Sequence, residues 1–300
     1  MAKYLYRGSS NSTTAAGFTS WAGLINPFMI AAGWVQTTDT GQVNWSSLVL
    51  PGPNGYVYEI FKSNDALSST FPIYVKFEYY GPYNSSYYNG TVYLTVGTGT
   101  NGAGTLTGST GRMVPVATSN VNSALAASNN LDDLMFYGSS GSNFSMLLWR
   151  TNSTGVTQPV YYSVERSKDN NGNDTASYAL VVAAGYGSTY QYTVWTPGIG
   201  YVYGSEPNGN WIILLSRNTT TGYGSNVGLS PIYPWVGKAD NPGINTVQGW
   251  NGDFTEGAIA QLSLYGTTHS YFMTAGDGMQ GIARQFLNTT GAAMIGMRWE

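Results

Sequence analysis

Side chains that alternate between two faces every second residue recur along this chain, and they leave it few ways to fold. The clearest runs are "YVYEIFK" (56–62), "IYVKFEYY" (73–80), "TVYLTVGT" (91–98), "VYYSVER" (160–166), "SYALVVAA" (177–184), "YQYTVWT" (190–196) and "NWIILLS" (210–216). They are rich in Val, Ile, Tyr and Trp and are bounded by Gly, Pro or Asn, which is the signature of strands separated by turns. Strands following one another without intervening helices favour antiparallel pairing. The expected fold class is mainly β: antiparallel sandwich or barrel-like sheets with one or two short helices.

The stronger helix candidate is "AGFTSWAGLINPF", where Phe18, Trp21, Ile25 and Phe28 recur at helical spacing, with Pro27 and Gly33 expected to end it. A weaker one is "NVNSALAASNNLDDL", in which Val121, Leu125 and Leu134 keep a loose period. A boundary near residue 118 follows the glycine-rich run. It gives an N-terminal β-rich domain with one helix (1–118) and a C-terminal β-rich domain (119–300). Directly after the first helix comes "GWVQTTDTGQVNW", two tryptophans around small polar residues. Trp34 and Trp45 are expected to be core residues that pack the helix on the first sheet, because large aromatic side chains gain most from burial.

Charge is scarce: 9% of residues are charged, against roughly 25% in an average soluble domain. With 14% aromatic and 42% hydrophobic content, the chain still has ample apolar surface to bury, so disorder is not the explanation. The formal net charge of −3, with Lys and Arg scattered, gives no footprint for nucleic acid. No apolar run is long enough for membrane insertion, and "MAKYLYRGSSNS" has no apolar segment typical of a signal peptide. Asn-x-Ser/Thr triplets such as those at Asn84 and Asn143 are then read as products of composition. Zero cysteine removes disulfides and cysteine–zinc sites.

The chemical inventory is short. His269 is the single histidine, and no Gly-x-Ser-x-Gly elbow accompanies it. Paired carboxylates could serve a glycosidase. The pairs are Asp132 with Asp133, Asp253 with Glu256, and Glu59 with Glu78. Glu59 and Glu78 lie in alternating strands, where each is expected to face solvent or a cation such as Lys62 or Lys76. Asp253 and Glu256 sit in "GWNGDFTEGA" beside Trp250, the best candidate for glycan contact, since a tryptophan face with nearby polar groups suits a sugar. "KDNNGNDT" (168–175) has alternating Asp and Asn like a calcium loop. It lacks the glycine and the final glutamate that such a loop needs, so it reads as a hairpin tip. "GTGTNGAGTLTGSTGR" (97–112) has no lysine and opens no helix, and is expected to be a long exposed loop rather than a phosphate cradle. These residues call for no catalytic group, no cofactor and no metal.

The order "GW…TTDTGQVNW", "YEIFKSNDAL", "PIYVKFEYY", "TVGTGTNGAGTLTG" resembles a group of small virion proteins of tailed bacteriophages, usually described as tail or minor structural proteins. The likeness covers about residues 30 to 110; from about 120 onward the chain is similar only in its Gly/Tyr/Ser-rich style. It implies a non-enzymatic structural part of a virion, in the tail or distal tail and baseplate, assembled in the host cytoplasm. The partners would be other virion proteins and copies of itself, and the resemblance assigns no functional residue. A capsid decoration (cement) protein is an alternative in the same class. From another class, a carbohydrate-binding or glycan-cleaving adsorption protein would meet a host surface glycan through Trp250, Asp253 and Glu256 or through "YYGPYNSSYYNG". That tyrosine-rich loop, with Tyr83, Tyr87 and Tyr88, is the expected subunit contact, because tyrosine is enriched and Lys and Glu depleted at interface cores.

Overall fold

The computed structural model describes residues 2–11, 15–51, 55–80, 91–110, 130–151, 157–168, 173–186, 189–196, 200–205, 230–232, 244–250, 259–264, 267–274 and 294–299. It is mainly β, with antiparallel sheets and short helices, as the alternating runs require. Strand β1 (Ala2–Asn11) precedes helices α1 (Ala15–Ala22) and α2 (Ile25–Ala31). There follow β2 (Val35–Gln36), β3 (Tyr56–Lys62), β4 (Tyr74–Tyr80) and β5 (Thr91–Gly97), which pair in that order as a four-stranded sheet. A small ladder of β6 (Gly99–Thr100) and β7 (Leu106–Thr107) comes next.

The second large sheet has seven strands and takes in β1 from the start of the chain. Its order is β1, β8 (Asn130–Ser139), β9 (Asn143–Thr151), β10 (Thr157–Lys168), β11 (Asp174–Tyr186), β12 (Thr189–Thr196) and β13 (Gly200–Ser205). A five-stranded sheet comprises β14 (Ser230–Ile232), β15 (Ile244–Trp250), β18 (Met294–Arg298), β17 (Thr267–Thr274) and β16 (Ile259–Leu264).

Register explains which side chains meet. In β8 to β10, Leu134, Phe136, Phe144, Met146, Tyr162 and Val164 share one face and join Val75, Phe77, Val92, Leu94 and Val96 of the four-stranded sheet in a single buried cluster. Phe77 meets Phe144 at 5.6 Å between ring centroids, and the Tyr162 hydroxyl donates to the Val92 carbonyl. The same face receives the helices, where the Phe28 ring of α2 packs, tilted, against Phe136 at 5.5 Å and Tyr4 at 4.3 Å between centroids. Met135, Tyr137, Ser145, Leu147, Ser163 and Glu165 alternate with those residues and are buried too. On this opposite side β15 contacts β9 and β10, and the Lys3 ammonium lies over the Trp299 ring at 5.7 Å. The central sheet is thus covered on both faces.

The expected helix is interrupted. Gly23 and Leu24 separate α1 from α2, and Pro27 falls in the first turn of α2, where its missing N–H costs no hydrogen bond, so it does not end the helix. Gly33 does. At φ +93° it accepts the left-handed conformation, its N–H bonds the Ile30 carbonyl and the Trp34 N–H bonds the Met29 carbonyl. This pairing closes a helix with a Schellman turn. Gly141 (φ +64°) stands against it: its N–H donates to the Ala32 carbonyl, and a Cβ there would meet the Gly33 and Asn64 carbonyl oxygens at 2.8 Å. The weaker helix candidate is corrected at its end, since residues 130–134 belong to strand β8; residues 121–129 lie outside the described residues.

The boundary placed near residue 118 also lies outside them. On either side of it, β1 pairs with β8, and residues 2 to 96 share one core cluster with residues 134 to 178. The strand expected at 210–216 is outside the described residues as well.

Candidate functional site

The polar groups that the fold organises most tightly lie on and around β3. Adjacent residues of a strand point to opposite faces, so Val57, Glu59 and Phe61 share the core side while Tyr56, Tyr58 and Ile60 share the other. Glu59 is therefore a carboxylate set into an apolar face, fully buried. Expected at the surface or beside a lysine, it has neither, which corrects the reading made from alternation. Four chain segments supply neutral groups instead. Asn26 Nδ2 of α2 donates to Oε1, the Tyr79 hydroxyl of β4 donates to Oε2 at 2.9 Å, and Gln36 Nε2 of β2 reaches Oε1 at 3.4 Å. The Trp45 indole N–H faces the same carboxylate without reaching hydrogen-bonding geometry. Burial pushes the Glu59 pKa up, and these donors only partly offset it.

On the other face, "TTDTGQ" and the glycine-rich segment form a clasp. The Asp39 carboxylate accepts from Thr37 Oγ1 at 2.7 Å, from Thr100 Oγ1 and from the Gly104 N–H at 3.1 Å; the Thr40 N–H donates to the Gly102 carbonyl at 3.0 Å. Burial works to raise the Asp39 pKa, but the bonds from Thr100, Thr37 and Gly104 outweigh it and hold the carboxyl below its usual range. The run expected to be a long exposed loop is a short hairpin through residue 107, with Thr98, Asn101, Gly102, Ala103, Thr105, Thr107, Gly108 and Ser109 exposed as expected. Leu106 and Thr110 are buried, and its tip is tied down by partners more than sixty residues earlier in the chain.

Gln42 extends the sheet with its side chain. Past Gln36 the strand departs, and the carboxamide fills the gap: Oε1 accepts the Ile60 N–H at 2.8 Å and Nε2 donates to the Thr37 carbonyl at 2.7 Å. Gln42→Leu should cost about 1–3 kcal/mol in equilibrium denaturation, because the buried Ile60 N–H loses its acceptor. A cost near zero would mean that water reaches this amide.

Two ion pairs among the described residues complete the set. Lys76 Nζ meets Glu78 Oε1 at 2.8 Å and lies over the Tyr58 ring at 4.4 Å, so Glu78 does pair with a lysine as expected, though along its own strand. Arg166 of β10 forks onto Asp65 in the β3–β4 connection, with Nη2 2.9 Å from Oδ1, and Nη2 also donates to the Phe71 carbonyl at 2.8 Å. Sequence reading missed this pair, whose members are 101 residues apart.

Of the residues singled out for glycan contact, Trp250 alone is among the described residues. Trp250 is the last residue of β15, paired with Met294, while Asp253 and Glu256 lie outside the described residues. So do Tyr83, Tyr87 and Tyr88. Tyr79, the first tyrosine of that loop, is fully buried on Glu59 and offers no contact surface. His269 lies within β17, opposite Leu262. Asp132 and Asp133 lie in β8. β10 and β11 pair antiparallel down to Lys168 and Asp174, as a hairpin at "KDNNGNDT" requires. Among the described residues no cluster of His, Cys, Asp or Glu could hold a metal ion, and no helix is long and apolar enough to cross a membrane. Of the carboxylate pairs weighed for a glycosidase, Glu59 and Glu78 lie on opposite faces of the four-stranded sheet by register. No family model, curated protein or solved structure matches the chain.

Proposed function

We propose that this chain is a non-enzymatic structural subunit of a tailed-phage virion, working in the tail or its distal end. The observation that carries the reading is where the fold places most of the charged side chains among the described residues. Glu59, Asp39, Asp65 with Arg166, and Lys76 with Glu78 are drawn into buried networks that tie segments of the chain together. Neutral polar residues such as Thr38, Thr40, Ser46, Ser69 and Asn101 are exposed. A low-charge surface of this kind packs against neighbouring copies with little desolvation cost, since charged groups are what interface cores exclude. Identical subunits would then be expected to close into symmetric rings or trimers. The likeness in segment order to small virion proteins supports the same reading.

The test is the particle. Purified virions of the phage encoding this chain, labelled with an antibody against it, should carry label on the tail in negative-stain images. Label on the capsid surface would replace the tail assignment with a decoration role. A chain absent from purified particles would overturn the virion reading.

A further inference from the structure

We propose that the tip of the β6–β7 hairpin modifies itself: Asn101 loses its side-chain amide through attack by the Gly102 backbone nitrogen, in a site that the Asp39 clasp assembles around that bond. Asn-Gly pairs recur in the sequence, and Asn101–Gly102 is the pair that lies wholly among the described residues. An acyl transfer needs a nucleophile, a base to take its proton and donors for the oxygen that becomes negative. The tip supplies all three.

The nucleophile is the Gly102 nitrogen. Its N–H donates to Thr100 Oγ1 at 3.2 Å, and the Thr100 hydroxyl donates in turn to Asp39 Oδ1. The donors run in one direction, so the Gly102 proton has a path onto the Thr100 oxygen while the carboxylate draws on the hydroxyl's own proton. Such an order of nucleophile, proton acceptor and orienting carboxylate is how weak nucleophiles are activated. Thr100 touches the reacting nitrogen, and Asp39 acts through it, fixed by Thr37 Oγ1 at 2.7 Å and by the Gly104 N–H at 3.1 Å.

The electrophile is Asn101 Cγ. Its Oδ1 accepts from the Ala103 N–H at 2.9 Å and from the Thr105 N–H at 3.1 Å. Two backbone donors on one amide oxygen polarise the carbonyl and stabilise the charge that grows on it as the nitrogen adds. Gly102 has no side chain to shield its nitrogen, and a Cβ there would meet no heavy atom within 4 Å. Asn101, Gly102 and Ala103 are exposed, so water can enter and the leaving group can depart.

In the first step the Gly102 nitrogen bonds to Cγ and the Cγ–Nδ2 bond breaks. The proton given up by Gly102 departs on Nδ2 as ammonia, and a cyclic imide remains. Solvent water then opens the ring at Cγ, leaving an aspartate at position 101, or at the main-chain carbonyl carbon, leaving the isoaspartate. Either product places a negative charge on the exposed tip. The inference stands on the clasp and is independent of the virion assignment.

Peptide mapping by mass spectrometry follows the conversion. The native full chain and a synthetic peptide covering residues 97–108 are incubated in the same buffer at neutral pH. Asn101 should convert about tenfold faster in the folded chain, because the base and the oxyanion donors are positioned only there. Thr100→Val removes the proton acceptor and should fall to the rate of the peptide, while Thr100→Ser keeps the hydroxyl and should keep the native rate. A folded wild type that converts Asn101 no faster than the peptide overturns the proposal, whether or not the valine variant folds. So does a folded Thr100→Val protein that converts at the wild-type rate.

Discussion

Arg166→Met is expected to destabilise the fold by about 3–5 kcal/mol, the range for breaking a buried ion pair by deleting one partner. Arg166 is fully buried, and it joins the seven-stranded sheet to the β3–β4 connection through Asp65 and through the Phe71 carbonyl. Methionine fills much of the volume but leaves the Asp65 carboxylate without its cation. Ser68, which also donates to Asp65, cannot compensate a charge. In the native protein burial works to raise the Asp65 pKa, and the Arg166 and Ser68 bonds more than reverse this, leaving it below 3.8. A lowered acid pKa contributes stability that is present above the unfolded value and lost as pH falls through the folded one. The gap between wild type and Arg166→Met should accordingly be widest near neutral pH and narrow below about pH 4. Adding Asp65→Asn to Arg166→Met should recover part of the loss, because the orphaned charge is gone. Urea denaturation of the single and double variants at two pH values measures all three effects. Additive losses at both pH values would mean that the pair is solvated and unimportant.

What the chain discloses before folding depends on how local the cause is. The runs 56–62, 73–80 and 91–98 disclose β3, β4 and β5 almost residue for residue, because alternation and bounding glycines act over a few positions. The same alternation misplaces Glu59. Both faces of the four-stranded sheet hold buried residues, Ile60, Lys76 and Glu78 on one and Phe61 and Phe77 on the other, so parity alone could not say which face was wet. β1 passes unnoticed in "AKYLYRGSSN" since what makes it a strand is β8, more than a hundred residues later. β9, "NFSMLLWRT", is missed for a different reason: Met146 and Leu147 are both buried, on opposite faces, and no alternation survives. The clasp over "TTDTGQ" is equally invisible, since Asp39 is satisfied by Thr100 and Gly104. Long-range partners decide which polar residues are structural, and one sequence names residues without naming partners.

Trp34→Ala should cost about 3–5 kcal/mol, the range for emptying a large aromatic site in a packed core. Trp34 follows the glycine that closes α2, with 1% of its surface exposed. Its ring meets the edge of Phe144 at 5.8 Å, and Nε1 donates to the Asn143 carbonyl at 3.3 Å. It therefore fastens the end of the helical cover to β9, within the cluster it shares with Phe61 and Phe77 of the first sheet. Trp45 packs the helix on the first sheet as expected, lying between Phe18 of α1 and Tyr79 of β4, but it is only partly buried. Trp45→Ala should cost less, because a side chain that keeps part of its surface in water surrenders less transfer energy and leaves a cavity that solvent can enter. Trp34→Phe separates the two contributions at the deeper site: it keeps a ring against Phe144 and gives up the bond to Asn143, so its loss should fall well below that of alanine. Equilibrium denaturation of the three variants tests the ranking Trp34→Ala, then Trp45→Ala and Trp34→Phe. A Trp34→Ala protein that melts like the wild type would show that this ring faces outward and is available to a partner.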